Sequence, residues 1–369
     1  MNILILNWRD IRHPRHGGAE YVTHEHAKRW IQKGNHVTWF TTAYSGGKFS
    51  ESIDGLHIIR KGSDLTVFFH AMLYVLTHRK DIDCIVDEVH GIPFFSVLYT
   101  RKPVVVFIHE IAGSIWDYMY PFPLAVVGKA LEALYLCAYR SREFWTVSRS
   151  TALELKKKGI PKDHIVVIPN PISCAPVRSL PEKEKNPTFL YVGRLVRMKR
   201  VEDVVSAFAG IQKKKKTAML WIAGTGDSTY ISMLRGRIRS YGLEAHVRIF
   251  GYVGEKHKLQ CMRRAHILLH ASAKEGWGLV VLEAASQGTP SVVYDVAGLR
   301  DAVVHDKTGL LVQNGVPQDM AESALTLLSD KGKYRMFQEN GLARVRELHW
   351  DSVAAASLTV LTRAVQAST

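Results

Sequence analysis

Two carboxylates, Glu275 and Glu283, stand eight positions apart in "KEGWGLVVLEAASQGTP", separated by Gly-Trp-Gly and an apolar run. An acid beside a glycine turn, followed by a second acid inside a helix, could grip a ligand with hydroxyls at one end and phosphate at the other. "AHILLHAS" before it reads as a strand. Leu279, Val280, Leu282 and Ala285 make an apolar helix face, and Gly288 and Pro290 end it. Gly276, Trp277 and Gly278 then form a strand-to-helix turn whose open peptide N–H groups, aided by the helix dipole, suit an anion. Glu283 lies ~7 Å along the helix axis from that turn. A carboxylate there can accept hydrogen bonds from both hydroxyls of a ribose diol. Glu275, before the turn, faces the other side of the phosphate, where a sugar's hydroxyls could sit. Taken alone, the same residues also suit an exposed acid and a salt-bridged helix acid.

Other positions repeat the pattern. "FLYVGRLVRMKR" sets Gly193, Arg194 and Lys199 on the loop after a strand. A planar guanidinium fork and a mobile ammonium suit a diphosphate. "IAGTGD", with Gly224, and "IFGYV", with Gly251, Tyr252 and Val253, are two more strand ends where glycine permits close approach. In the first half, "HGGAE" puts Gly17 and Gly18 between a strand and a helix, and "FIHE" ends a strand at His109.

These positions need strands that end together. "NILILNW", "HVTWFTT", "CIVDEV", "PVVVFIH" and "EFWTVS" read as buried strands, alternating with helices such as "AEYVTHEHAKRWIQKG" and "LTVFFHAMLYVLTHRK". After "ISCAPVRSLPEKEKNPT", with three prolines and no periodicity, the alternation restarts with "FLYVGRL", "AMLWIAGTG", "VRIFGYV", "HILLHAS", "SVVYD" and "GLLVQNG". The expectation is an α/β chain of two Rossmann-like, doubly wound parallel-sheet domains facing a central cleft. The expected bounds are 1–171, a linker over 172–187, a second domain over 188–349, and a last helix over 350–369 that crosses back to the first. A length of 369 residues suits two such cores.

Quoted in chain order, "GGAE", "FIHE", "VSRS", "IPNP", "YVGRL…K", "AGTGD", "FGYV", "EGWGLVVLEAASQGTP", "GLLV" and "HWDSVA" resemble glycosyltransferase family 4, the retaining, metal-independent group with the GT-B fold. The E-x7-E element is specific in its context; the others are individually weak. The resemblance implies that Arg194 and Lys199 hold the diphosphate of a nucleotide-sugar donor. It implies that Glu283 holds the ribose and that Glu275 and His109 contact the transferred sugar. Peptide groups at Gly276, Trp277, Gly278 and Leu279 would assist phosphate and sugar. Gly251, Tyr252 and Val253 would frame the base, with Gly17, Gly18, Gly193 and Gly224 giving the diphosphate close approach. Pro171 stands where the family usually has glycine, which alters the turn after Asn170.

The function this implies is transfer of a sugar from a UDP- or GDP-linked donor to a glycan or lipid-linked saccharide, in polysaccharide or glycolipid synthesis. No separate cofactor and no metal is expected. "DIDC" lies far in sequence from the phosphate residues, and His24 and His26, two apart on a helix, do not share a face. A glycoside hydrolase using the two acids would leave Arg194 and Lys199 without a task. A nucleotide-sugar epimerase of the same plan is the enzymatic alternative. A basic nucleic-acid-binding protein is the non-enzymatic one, suggested by a net charge of +15 and a pI near 9.6. No nucleic-acid-binding motif supports it, so nucleic acid is not an expected partner.

Four scattered cysteines without CxxC spacing suit a reducing compartment. "MNILILNWRD" lacks a signal peptide's basic leader, and no run reaches ~18 apolar residues. A cytoplasmic protein is expected. "WDYMYPFPLAVVGKALEALYLCAYRSREFW" reads as a helix covering the first sheet. Read functionally, its apolar wall and flanking arginines could instead meet an anionic membrane surface at the inner face.

Overall fold

The β-branched runs of the first half become strands because both of their faces find helices to cover them. In order, the chain builds β1 (Asn2–Leu6), α1 (Gly18–Gln32), β2 (His36–Thr41), β3 (Ser50–Ile53), β4 (Leu56–Arg60), α2 (Val67–Thr77) and β5 (Cys84–Val89). It continues through β6 (Val104–Ile108), α3 (Ile115–Met119), α4 (Leu124–Tyr139), β7 (Glu143–Thr146), α5 (Arg149–Lys157) and β8 (Ile165–Val167). Every residue of β5 and β6 is buried, as a central parallel strand requires. The eight strands lie in the order β3-β4-β2-β1-β5-β6-β7-β8.

This computed structural model describes residues 1–368, and the chain divides into two compact units. The first takes residues 1–170 together with those from His349 onward, and the second takes Pro171–Leu348. One departure from the expected all-parallel sheet lies at its edge, where β3 runs antiparallel to β4. Asp54 and Gly55 both have positive φ, 50° and 86°, the geometry of a two-residue hairpin turn. The strand β8 also adds an edge that the sequence pattern did not separate from the loop before Asn170.

The second unit repeats the plan with β9 (Thr188–Val192), α6 (Val201–Lys214), β10 (Met219–Ala223), α7 (Ser228–Ser240), β11 (Val247–Gly251), α8 (Glu255–Arg264) and β12 (Ile267–His270). It ends with α9 (Leu279–Ser286), β13 (Ser291–Tyr294), α10 (Leu299–Ala302), β14 (Gly309–Val312), α11 (Pro317–Ser329) and α12 (Lys331–Arg346). Its six strands are all parallel, in the order β11-β10-β9-β12-β13-β14. The order reverses between β9 and β12, so the loops leaving these two strands diverge and leave room for a ligand at their carboxyl ends.

The segment 172–187 has no helix or strand and lies along the second unit. The Val177 N–H donates to Ser286 O at 2.8 Å, and Lys183 Nζ donates to Gly288 O at 2.8 Å. The final helix, α13 (Trp350–Gln366), belongs to the first unit and packs on α1. Arg29 pairs with Asp351 between them at 2.8 Å, and Ser357 is a buried polar link. Its hydroxyl accepts from Trp30 Nε1 at 3.1 Å and pairs with His26 Nδ1 at 2.9 Å. A cavity of about 790 Å³ lies along α1 and α13 and includes none of the candidate site residues.

Candidate functional site

Glycine closes the strand ends of the second unit against one another. Gly224 N–H donates to Gly251 O at 2.8 Å, and Gly193 N–H donates to Ala223 O at 3.0 Å. A Cβ on Gly224 would sit 1.8 Å from Gly193 O, and its φ of 152° is one that side chains rarely adopt. Gly224 is therefore also what lets the loops after β9 and β10 meet, whereas a Cβ on Gly251 would have open space around it. Val253 packs on the core, and Tyr252 beside it is 82% exposed.

Across the switch point the loops after β9 and β12 are tied together. Ala273 N–H donates to Met198 O at 2.9 Å. This brings Lys199 onto Glu275, Nζ to Oε1 at 2.5 Å, and His270 Nε2 lies 2.9 Å from the same oxygen. The His270 ring stacks on Tyr191, centroids 5.6 Å apart. Burial works against the charge of Glu275, yet Lys199 and His270 hold its carboxyl well below the usual carboxylate range. Arg194 is exposed on the same loop as Lys199, and its guanidinium has no hydrogen bond or ion pair among the described residues. Its backbone carbonyl accepts from Tyr191 Oη at 3.0 Å. Burial raises the pKa of the Tyr191 hydroxyl, with the Glu275 charge adding to the rise and Arg194 opposing it.

The helix α9 begins immediately after Gly278, whose φ is 83° and which has no side chain to cap the first turn. The first N–H groups of a helix have no partner within it, so an anion can supply one. A Cβ on Gly298 would come 2.1 Å from Glu275 O, so the loop after β13 presses on the Glu275 backbone. Glu283, within α9, pairs with Lys258 of α8 at 2.9 Å. Burial raises its pKa from the ordinary value and Lys258 opposes the rise.

In the first unit, His109 follows β6 and is buried. Its Nε2 lies 3.2 Å from Glu88 Oε1, and His90 Nε2 lies 2.9 Å from the same atom. Thr23 Oγ1 donates to the other Glu88 oxygen at 2.7 Å. Burial opposes ionisation of Glu88, but His109 and His90 bring its pKa down to about 2. Burial lowers the pKa of His109, with Glu88 opposing. The ligating atoms of Glu88, His90 and His109 lie within 4.8 Å of one another, a spacing that a cation could also use. Here hydrogen bonds to Glu88 already occupy the Nε2 atom of each ring. Gly17 caps α1, its N–H donating to Glu20 Oε2 at 2.7 Å, and Gly18 is the helix's first residue.

Of the residues singled out in the second unit, Lys199 and Glu275 touch, and Gly193, Gly224 and Gly251 form one hydrogen-bonded series. Glu283 turns to Lys258 instead. His270 and Lys258 were not anticipated. His270 carried a signal, since it closes the strand "HILLHAS" at the same level as the loops around it. Lys258 carried none, because only the packing of α8 on α9 brings it to Glu283.

Known proteins with this organisation agree on a class. Residues 177–344 match the family described as Glycosyl transferases group 1, and residues 16–175 match Glycosyltransferase Family 4. A Methanocaldococcus jannaschii protein called an uncharacterized glycosyltransferase is 29% identical over 63% of this chain and 63% of its own. The D-inositol 3-phosphate glycosyltransferase of Jonesia denitrificans is 30% identical over 47% of this chain and 42% of its own. The matched stretches thus span between 42% and 63% of those two relatives. Among solved structures, sucrose-phosphate synthase from Thermosynechococcus elongatus has a TM-score of 0.79 at 20% identity, covering 100% of both chains. Anabaena HepE, solved with UDP and glucose, has a TM-score of 0.75 at 18% identity over 98% of this chain and 100% of its own. WaaG, described as a glycosyltransferase involved in lipopolysaccharide biosynthesis, has a TM-score of 0.76 at 15% identity over 98% and 99%. With two parallel-sheet units of the GT-B type, the chain belongs to glycosyltransferase family 4.

Proposed function

We propose that the protein transfers a sugar from a UDP- or GDP-linked donor to a hydroxyl of a saccharide or lipid-linked saccharide, with retention at the anomeric carbon. The observation that carries this reading is the convergence of Lys199 and Glu275 at the β9/β12 switch point, beside the uncapped start of α9. Breaking the sugar–phosphate bond leaves negative charge on the departing diphosphate and positive charge on the sugar ring. An exposed Arg194, the Lys199 ammonium and the α9 N–H groups are the kinds of donor that stabilise the first. The Glu275 carboxylate, kept ionised by Lys199 and His270, can accept from sugar hydroxyls.

Retention then follows from attack on the face the diphosphate leaves, with a departing phosphate oxygen taking the acceptor's proton. No covalent carboxylate is required, since Glu275 is already held by a lysine and a histidine. Glu283 is assigned the ribose, His109 the donor sugar, and the backbone at Gly251, Tyr252 and Val253 the base. The turn at Gly17 and Gly18 is assigned the diphosphate. That HepE was solved with UDP and glucose, and Staphylococcus aureus TarM with UDP, supports a nucleotide-sugar donor. The description of WaaG as involved in lipopolysaccharide biosynthesis supports a glycan or glycolipid product.

The test is a panel of UDP-, GDP- and ADP-sugars, with nucleotide release measured in the presence and absence of saccharide acceptors. Acceptor-dependent release from one nucleotide class, an axial product linkage from an axial donor, and full activity in EDTA are expected. An inverted linkage would contradict retention, and loss of activity in EDTA would turn attention to Glu88, His90 and His109.

A further inference from the structure

The helix α4 wears its amphipathicity inside out. Its buried side carries Glu132 and Tyr139 beside Ala125, Gly128, Tyr135 and Leu136. The Glu132 carboxylate accepts from Ala112 N–H at 2.7 Å and Gly113 N–H at 2.8 Å, and Tyr139 Oη donates to the buried Asp87 at 2.5 Å. Its outward side is apolar for about three turns: Leu124, Val127, Leu131 and Leu134 are each more than half exposed. A surface helix normally shows the reverse pattern.

The apolar surface continues beyond this helix. The short α3 lies against α4 with the Trp116 ring on Gly128, where a Cβ would come within 2.5 Å of the indole. It exposes Tyr118 and Met119, and Phe122 in the following turn is 83% exposed. The buried sides of α2, α4 and α5 share one core with the strands, so these helices cover the same side of the sheet. On that side α2 exposes Phe69 and Leu73, and α5 exposes Leu153. By contrast the second unit, of similar length, exposes among its described large apolar residues only Met233, Tyr241, Tyr252 and Met336. Contiguous apolar surface of this kind marks a place of attachment.

Charge says to what. The strands β5, β6, β7 and β8 are parallel neighbours, so the turns entering them stand in a row. Arg79 and Lys80 precede β5, Arg101 precedes β6, Arg140 precedes β7, and Lys156 and Lys157 end α5 before β8. All six are exposed, and none has an ion pair among the described residues. The acids among them are fewer: Asp81 and Asp83 before β5, Asp163 before β8, and Glu143 at the start of β7, which Arg363 pairs. We infer that this side of the first unit docks on a bilayer carrying anionic lipid headgroups, its α3–α4 side chains entering the interfacial layer while the basic row meets the headgroups. No helix of the described residues is long and apolar enough to cross a membrane, so the attachment is to one leaflet. The inference stands whatever chemistry the second unit performs.

The test is co-sedimentation of the full-length protein with vesicles of phosphatidylcholine, alone or with phosphatidylglycerol at about 2:1, with light scattering of the free protein alongside. Binding to the anionic vesicles is expected, weakened by salt. Leu131→Glu with Leu134→Glu should weaken it about 10-fold or more at unchanged melting temperature, and Lys156→Glu with Lys157→Glu should weaken it on anionic vesicles. Absence of vesicle binding would overturn the inference. So would binding that both variants retain, or a dimer that the leucine pair dissociates, which would show a second copy to be the occupant.

Discussion

Arg194 and Lys199 share a loop but differ in what removing them should do. Arg194 is exposed and unpaired, so Arg194→Ala should leave the melting temperature unchanged while lowering kcat by about 100-fold, the scale of one lost transition-state donor. Differential scanning fluorimetry and initial rates check both halves. Lys199 also neutralises Glu275, so Lys199→Ala should lower kcat and in addition raise the Glu275 pKa, leaving His270 as its one named partner. The rate of Lys199→Ala should therefore rise with pH across the range where Glu275 ionises, a slope the parent enzyme lacks. The types and spacing of these residues were readable from the chain because charged side chains at buried strand ends have few structural tasks. Their partners were not. His270 and Lys258 reach Glu275 and Glu283 through helix and strand packing, which has no fixed sequence separation.

At the scale of elements, two features can be tested without substrate. The loops after β9 and β10 meet because Gly224 lacks a Cβ, and any side chain would strike Gly193 O. Gly224→Ala should cost about 3 kcal/mol or more of second-unit stability, read as a lowered denaturation midpoint. The packing of α13 on α1 rests partly on His26, buried against Trp145 and Trp350 and bonded to Ser357. Burial chiefly, with His109 and Arg29, lowers its pKa to about 3 from the ordinary 6.5. The folded protein thus keeps His26 neutral where the unfolded chain would protonate it. The unfolded state binds more protons between those values, so stability is intact above 6.5 and falls with pH, at about 1.4 kcal/mol per unit from this group. His26→Gln should flatten the melting temperature between about pH 6.5 and pH 5. Strand alternation made the two sheets legible, whereas the β3–β4 hairpin was overlooked. Its signal was present, an Asp-Gly pair between short alternating runs, but four- and five-residue edge strands carry little periodicity.

For the molecule as a whole, the plan of two units came from the restart of the strand–helix rhythm after the proline-rich segment. The packing of that segment on the second unit did not, and the apolar wall of α4 was readable only as one of two alternatives. A helix that turns its acid inward and its leucines outward has the same composition as one that does the opposite; only the contacts of Glu132 and Tyr139 fix which side is which. The account depends most on the second unit holding a diphosphate at Arg194, Lys199 and the start of α9. Calorimetric titration of UDP, GDP and ADP into the full-length protein tests it directly. One nucleoside diphosphate should bind, with affinity reduced about 10-fold or more in both Arg194→Ala and Lys199→Ala. Nucleotide binding that is unchanged in both variants, or absent for every nucleotide, would contradict it.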